Sequence, residues 1–207
     1  MLVIGLTGGI GSGKTQVSKF LQEFGATVID ADRLGHEIYA PKTEAWYGIV
    51  ATFGEDVLAP TGEIDREKLG AIVFSDPNAL RQLNAIVHPD IRRAIVERVR
   101  KIELADKDSV VVIEAALLVE ANWTDLTDEI WVTTSSEDEV IRRIRARSNL
   151  DTRAIKDRIH SQISHSERVK YADVIISNSG NFADLKHQIK QLWEDKGHVY
   201  KEGRSQI

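Results

Sequence analysis

Gly8-Gly9-Ile10-Gly11-Ser12-Gly13-Lys14-Thr15 directly follows the apolar run 2–6, and this stretch decides the fold. It matches the pattern G-x-x-x-x-G-K-S/T of a phosphate-binding loop, which joins a strand to a helix. The glycines let the backbone turn so that successive N–H groups point inward, at the positive end of the helix that follows. We therefore predict that the loop holds a polyphosphate, with Lys14 reaching the β- and γ-phosphates and the Thr15 hydroxyl holding Mg²⁺.

Four further apolar runs rich in β-branched residues lie downstream, at 27–30, 110–114, 129–133 and 173–177. Each is nearly continuous, which is typical of a strand buried on both faces of a parallel sheet. Helical patterns at 16–24, 137–147 and 182–193 separate these runs. The alternation predicts an α/β fold of the P-loop NTPase type, a three-layer sandwich in which a five-stranded parallel sheet has helices on both faces.

Two long excursions interrupt this alternation. About eighty residues separate the second and third predicted strands, more than one crossover needs. Helical patterns at 43–53, 66–74 and 78–102, with Pro89 as a predicted break, indicate a helical acceptor-binding insertion over about 36–104. The segment from about 141 to 170 contains nine basic residues against three acidic ones and is predicted to be a lid over anionic phosphates. The remainder, about 1–35, 105–140 and 171–207, forms the core of one domain spanning 1–207.

Composition excludes several classes of protein. The formal net charge is −5, which argues against a nucleic-acid binder, and the absence of cysteine excludes disulfides, thiolate metal sites and a thiol nucleophile. No apolar run approaches the length of a membrane span, and no leader is recognisable, so we expect a cytoplasmic protein with no membrane association. Nothing in the chain indicates an obligate protein partner.

Three acids end predicted strands or follow them. The neighbouring strand of a P-loop protein ends opposite the γ-phosphate, so Asp32 is placed to orient and partly deprotonate an acceptor hydroxyl. Strand alternation predicts that Asp30 points to the same side; it either supports the metal or caps the next helix. Glu114 ends the third strand, where a carboxylate supports Mg²⁺ through water.

Cations of the basic segment are the predicted partners of the transferring phosphoryl group. Arg143 and Arg147 lie four residues apart on one helix face, and charge develops on the equatorial oxygens during transfer. A solvated charged face is the alternative for either residue. His88 and Arg92 are placed to meet a phosphorylated acceptor, although a core or capping role remains open for His88.

Two rival nucleotide-binding classes fail on spacing. The dinucleotide pattern G-x-G-x-x-G is absent because Lys14 stands three residues beyond Gly11. Residues 32–35 spell the D-x-x-G of GTPase switches, but they follow the second strand rather than the third, and no Asn-Lys-x-Asp follows.

The chain resembles the dephospho-coenzyme A kinase family over nearly its whole length. The resembling segments are 4–15, 28–32, 62–66 with Leu69 and 73–74, 84–92, Arg143, Arg147, Arg158, Gln162, Ser164, 172–173 and 178–180. One departure stands after the third strand, where the family usually has Pro-Leu-Leu-Phe-Glu and this chain has Ala116-Leu117-Leu118-Val119-Glu120.

The resemblance implies ATP-dependent phosphorylation of the ribose 3′-hydroxyl of dephospho-coenzyme A, with ATP and Mg²⁺ as cofactors. The predicted ATP-binding residues are Gly8, Gly9, Ile10, Gly11, Ser12, Gly13, Lys14, Thr15, Gln16, Arg143 and Asn178. The predicted catalytic residues are Lys14, Asp32 and Arg147, and the predicted acceptor-binding residues are Asp32, His88, Arg92 and Leu117. Thr15 is the predicted metal ligand, with Asp30 or Glu114 acting through water. The alternatives are another nucleotide or nucleoside kinase of this fold and a non-catalytic nucleotide-binding regulator.

Overall fold

A five-stranded parallel sheet in the order β2-β3-β1-β4-β5 forms the centre of the computed structural model. The structure describes residues 1–148 and 151–202, apart from the side chains of Arg147 and of residues 196–202. The strands are β1 (Leu2–Gly8), β2 (Thr27–Asp30), β3 (Val110–Glu114), β4 (Glu129–Thr134) and β5 (Val174–Ser177). All five predicted strands are thereby confirmed, with β1 two residues longer because Thr7 and Gly8 pair with Val132 and Thr133.

Helices cover both faces of the sheet. The helices are α1 (Lys14–Glu23), α2 (Ala31–Ile38), α3 (Glu44–Phe53), α4 (Arg66–Val73), α5 (Pro77–Ala105), α6 (Glu137–Arg147), α7 (Thr152–His160), α8 (His165–Val169) and α9 (Phe182–Glu202). Within the described ranges, none of them is both long and apolar enough to cross a bilayer.

Alternate side chains of the strands bury into two separate apolar clusters. Val3 and Val111 face the cluster that includes residues of α2 to α5. Leu2 and Val112 face the opposite cluster, to which α1 and α9 contribute. This two-sided burial is why the strands read as continuous apolar runs, and it confirms the predicted three-layer sandwich.

Helix α5 runs without interruption through Pro89, so the predicted break there is wrong. Proline removes one backbone donor within a helix. Val87, Ile91 and Ile95 are buried on either side of it, against the sheet and the neighbouring helices. The burial of this helix face outweighs the local cost of the proline, which the sequence alone does not reveal.

The phosphate-binding loop lies between β1 and α1, at the carboxyl edge of the sheet where ligands of such folds bind. Register brings the neighbouring strand ends together there, since Leu6 pairs with Glu114 and Glu114 pairs with Asp30. Ile10 of the loop packs against a small cluster from α6 and α7 that contains Val140, Ile144 and Ile155. The loop is therefore bordered by the sheet on one side and by the basic segment on the other.

Candidate active site

Gly13 sets the shape of the phosphate-binding loop at the start of α1. Its φ of 100° lies in the left-handed region, and a Cβ added to it would overlap the amide nitrogen of Asn178. That amide donates a hydrogen bond to the Ser12 carbonyl over 2.8 Å. Only glycine satisfies both the backbone conformation and this close approach.

Side chains from two other parts of the chain hold the rest of the loop. The hydroxyls of Ser12 and Thr133 are 2.7 Å apart, which ties the loop to the end of β4. The Ile10 N–H donates to Gln162 Oε1 over 2.9 Å, which ties it to the segment after α7. These bonds fix the backbone before any ligand arrives, as preorganised recognition of phosphate requires.

The Lys14 ammonium lies inside the loop. Its Nζ donates to the Gly8 carbonyl over 3.0 Å and to the Gly9 carbonyl over 3.4 Å. Burial lowers the pKa of Lys14 from its usual 10.5, while the charges of Asp32 and Glu114 act in the opposite direction. The lysine is thus confined among carbonyls and carboxylates at the carboxyl edge of the sheet.

Glu114 lies below the loop as a buried acceptor. Its two carboxylate oxygens accept hydrogen bonds from Thr15 Oγ1 over 2.9 Å and from Ser18 Oγ over 2.6 Å. The position at the end of β3 is the one predicted from the sequence. The bond to Thr15 places the predicted metal ligand and a supporting carboxylate in direct contact.

Asp30 and Asp32 belong to different elements, because the chain turns from β2 into α2 directly after Asp30. Strand alternation therefore does not relate the two side chains. Asp30 caps α2 by accepting from the Arg33 N–H over 2.9 Å, which confirms the capping alternative for this residue. A further role for Asp30 at a metal stays a prediction.

Asp32 stands in the first turn of α2, where its side chain is exposed and lies close enough to Lys14 for their charges to interact. Partial burial raises the pKa of Asp32 from its usual 3.8, the Lys14 ammonium lowers it, and the Asp30 charge raises it again. The backbone N–H of Ala116 also lowers the pKa of Asp32. The proline usual at that position in the resembling family has no N–H to donate.

The remaining predicted nucleotide contacts lie around the loop. Arg143 of α6 donates to the Asn178 carbonyl over 2.8 Å and to the Gly11 carbonyl over 3.4 Å, so it supports the Gly13 end from outside. Gln16 lies in the first turn of α1, half-buried. The Arg147 side chain lies outside the described residues.

The predicted acceptor residues lie on α5 and in the loop after β3. Arg92 forms a two-pronged ion pair with Asp125, at 2.9 and 2.6 Å. The His88 ring lies 5.2 Å from the Trp123 ring, and burial lowers the pKa of His88 from its usual 6.5, with Glu120 opposing. Leu117 is half-buried in the loop after β3. Contact of these residues with an acceptor stays a prediction.

Arg168 and Glu120 were not assigned to the site from the sequence. Arg168 of α8 is only 3% exposed and pairs with Glu120 over 3.1 Å. In the sequence Arg168 is one of nine basic residues in its segment, and no pattern separates it from the exposed ones. Thr133 and Gln162 bond to the phosphate-binding loop, but their positions in the sequence do not indicate this contact.

The donors at the loop fit a magnesium ion. Thr15 supplies a hydroxyl, and Glu114 and Asp30 end adjacent strands with carboxylates; such hard oxygen donors suit Mg²⁺. Within the described ranges, no cluster of three or more His, Cys, Asp or Glu side chains could enclose a metal by itself. The arrangement suits an ion held mainly by substrate phosphates and water, the usual mode for Mg²⁺.

The parallel sheet, the phosphate-binding loop at its carboxyl edge and the loop lysine together define a P-loop nucleotide-binding protein. The family model described as dephospho-CoA kinase matches residues 2–184. The chain therefore belongs to the dephospho-CoA kinase family, and membership of a kinase family implies the use of ATP.

Individual relatives and solved structures match nearly the whole chain. A dephospho-CoA kinase from Carboxydothermus hydrogenoformans is 41% identical over 93% of this chain and 96% of its own. The structure of dephospho-CoA kinase from Campylobacter jejuni superposes with a TM-score of 0.68 at 28% identity, covering 95% of this chain and 98% of the other. The structure of TT1252 from Thermus thermophilus gives a TM-score of 0.75 at 30% identity, covering 94% and 97%.

Proposed function

We propose that this kinase transfers the γ-phosphoryl group of ATP to the ribose 3′-hydroxyl of dephospho-coenzyme A, which yields coenzyme A and ADP. The observation that supports the proposal is that Asp32 and Lys14 lie close enough at the carboxyl edge of the sheet for the charge of each to act on the pKa of the other. Binding of a nucleotide alone needs the lysine, whereas the facing carboxylate suits transfer to a hydroxyl.

The loop binds the triphosphate through its backbone N–H groups. Lys14 exchanges its bonds with the Gly8 and Gly9 carbonyls for bonds to the β- and γ-phosphates, within the same small space. Asn178 and Arg143 keep the Gly13 end of the loop in shape during this exchange. Because these donors are already ordered, little conformational freedom is lost on binding.

Asp32 accepts the proton of the ribose hydroxyl as the hydroxyl oxygen attacks phosphorus. The bond between the γ-phosphorus and the oxygen that leaves with ADP breaks as the new P–O bond forms. A carboxylate whose pKa is raised above its usual 3.8 is a stronger base than an ordinary aspartate.

Thr15, supported by Glu114 and with Asp30 nearby, would hold Mg²⁺. When bound, this ion would neutralise negative charge on the phosphates of ATP. Glu114 keeps the Thr15 hydroxyl in position, and it also balances the charge of Lys14.

The basic segment and the insertion complete the cleft. Arg143 would bind ATP beside the Gly13 end of the loop, and Arg147, one helical turn further along α6, would neutralise charge on the transferring group from the lid side. His88, Arg92 and Leu117 would contact the acceptor. To do so, Arg92 would have to break its ion pair with Asp125, which is exposed to solvent and therefore weak. We infer a cytoplasmic location from the substrates.

The test is an assay with ATP and dephospho-coenzyme A in which the product is identified by mass and by the position of the new phosphate. We expect coenzyme A to form, and we expect Asp32→Asn to lower kcat by about 10² or more while ATP affinity changes little, because a base is lost and a binding group is not. Asp138→Asn, an exposed acid in the first turn of α6, is the matched control.

Two outcomes would count against the proposal. Phosphoryl transfer to a different nucleotide or nucleoside in a panel of acceptors, with no transfer to dephospho-coenzyme A, would show that the proposed substrate is wrong. Full turnover by Asp32→Asn would remove Asp32 from the role of base.

A further inference from the structure

Arg168 is a buried cation that the mechanism above does not use. It is 3% exposed, it belongs to the short helix α8, and its only ion-pair partner within the described residues is Glu120. Burial of a guanidinium costs free energy that a well-made pair must offset. The quality of that pair therefore indicates whether Arg168 serves the fold alone.

The ion pair between Arg168 and Glu120 leaves two polar atoms without hydrogen-bond partners among the described residues. One guanidinium nitrogen of Arg168 donates to Glu120 Oε1 over 3.1 Å, and the same oxygen accepts from the Ile163 N–H. Glu120 Oε2 and Arg168 Nε are buried and have no hydrogen-bond partner among the described residues. A pair selected for stability would be two-pronged, with both oxygens satisfied.

The free side of Arg168 faces the phosphate-binding loop. A Cβ placed on Gly9 would lie 3.6 Å from Arg168 Nη1 and 3.8 Å from Gln162 Oε1. Gly9, Gln162 and Arg168 line one cavity of about 600 Å³ beside the loop. The charge of Arg168 also acts on the nearby ammonium of Lys14.

The position of Lys14 tells which end of the nucleotide lies near Arg168. Lys14 Nζ bonds the carbonyls of Gly8 and Gly9, and a loop lysine reaches the β- and γ-phosphates. The Gly9 side of the loop is therefore the terminal-phosphate side. Asn178 and Arg143 occupy the Gly13 side instead.

We propose that Arg168 contacts the terminal phosphate of ATP from the Gly9 side of the loop, and that Glu120 is the positioning residue that holds its guanidinium there. Gly9 has no side chain, so the guanidinium can approach the phosphate over the loop backbone. Arg168 then stabilises charge on the transferring group opposite the base. The inference deepens the proposed function and rests on it for the transfer step, although it assigns a contact that binding of ATP alone can test.

The first experiment compares the affinities of ATP and ADP by calorimetry, with no acceptor present. Because the contact is to the terminal phosphate, Arg168→Met should weaken ATP binding by about tenfold or more and leave ADP binding nearly unchanged. Arg168→Lys should recover part of the ATP affinity, since a point charge replaces only part of the guanidinium fork. Lys170→Met, an exposed lysine two residues away that pairs with Glu167, is the matched control.

The second experiment separates a phosphate contact from a purely structural role. Arg168→Met leaves the Glu120 carboxylate buried without a counter-charge, so this variant can lose stability for that reason alone. The double variant Arg168→Met with Glu120→Gln removes both charges and relieves that cost. We expect its thermal stability to recover while kcat with dephospho-coenzyme A stays about 10³-fold below the original chain, the scale of a lost arginine at a transferring phosphoryl group.

Specific outcomes would overturn the assignment. Equal loss of ATP and ADP affinity in a folded Arg168 variant, or loss of neither, would show that Arg168 does not contact the terminal phosphate. Recovery of kcat in the double variant would reduce Arg168 to a counter-charge for Glu120. A chain that binds ATP in the expected pattern but never phosphorylates dephospho-coenzyme A would instead contradict the proposed function and leave the contact standing.

Discussion

Replacing Glu114 by glutamine tests whether one buried carboxylate supports both the fold and the metal. Glu114 is 6% exposed and accepts hydrogen bonds from the hydroxyls of Thr15 and Ser18. Glutamine keeps the shape but offers one accepting oxygen, so one hydroxyl loses its acceptor and the other exchanges a charged acceptor for a neutral one. The variant also removes a negative charge that faces the Lys14 ammonium.

The magnitude follows from the two bonds. A hydrogen bond to a charged group contributes about 1.5–3 kcal/mol, against about 1 kcal/mol for a neutral one. Losing one bond and weakening the other lowers the gross stabilisation by about 2–5 kcal/mol, and the smaller desolvation cost of an amide offsets part of that loss. We therefore expect Glu114→Gln to lower the free energy of unfolding by about 2 kcal/mol, a substantial share of the typical 5–15 kcal/mol.

Urea denaturation and a magnesium titration of the kinase reaction measure the two effects. If Glu114 holds Thr15 for the metal, the variant should need more Mg²⁺ to reach half of its maximal rate. Ser18→Ala is the matched control, because it removes one bond to Glu114 and leaves the charge and the bond to Thr15 in place. It should lose stability without a change in the magnesium requirement. Unchanged stability and an unchanged magnesium curve in Glu114→Gln would refute this reasoning.

Two further substitutions probe the loop and the insertion. Gly13→Ala should weaken ATP binding by about tenfold or more, because its Cβ displaces the Asn178 amide from the Ser12 carbonyl. Gly62 has a similar φ of 81°, and a Cβ added there would have no neighbouring atom within 4 Å. Gly62→Ala should therefore cost about 1 kcal/mol of stability and leave ATP affinity unchanged. Equal ATP affinities for the two variants would contradict the argument that the Gly13→Ala Cβ overlaps Asn178. His88→Gln should reduce the loss of stability on acidification, because the lowered pKa of His88 means that the unfolded chain takes up a proton at this residue more readily than the folded chain as the pH falls. Urea denaturation at about pH 7.5 and about pH 5.5 measures the loss of stability on acidification, with His187→Gln, at an exposed position, as the control. An acid dependence that His88→Gln leaves unchanged would show that His88 does not contribute to this loss.

The sheet and the loop were predictable because their causes are local. Continuous runs of β-branched residues indicate strands that are buried on both faces. The glycine spacing before Lys14 indicates a loop that needs a residue in the left-handed conformation at position 13. The family departure at Ala116 was also visible. Its consequence was not, because the N–H that acts on Asp32 depends on how two loops meet at the sheet edge.

Features that depend on tertiary packing could not be predicted from the sequence. The continuity of α5 through Pro89 comes from burial of its apolar face, and the local signal alone predicts a break. The excess of basic residues in 142–170 predicted a charged lid, but the count does not separate exposed Arg142 from buried Arg168. The partner that makes this difference, Glu120, lies 48 residues away along the chain.

The bond from Asn178 to Ser12 joins residues 166 positions apart, so the amino-terminal loop is shaped by a side chain that follows the last strand. During synthesis the loop emerges early, but its Gly13 end has no such support until β5 has joined the edge of the sheet. Tight capture of ATP by a growing chain would thus mark the completion of the fold rather than its beginning. A fragment that ends before β5 would contain the whole glycine motif and still bind nucleotide poorly.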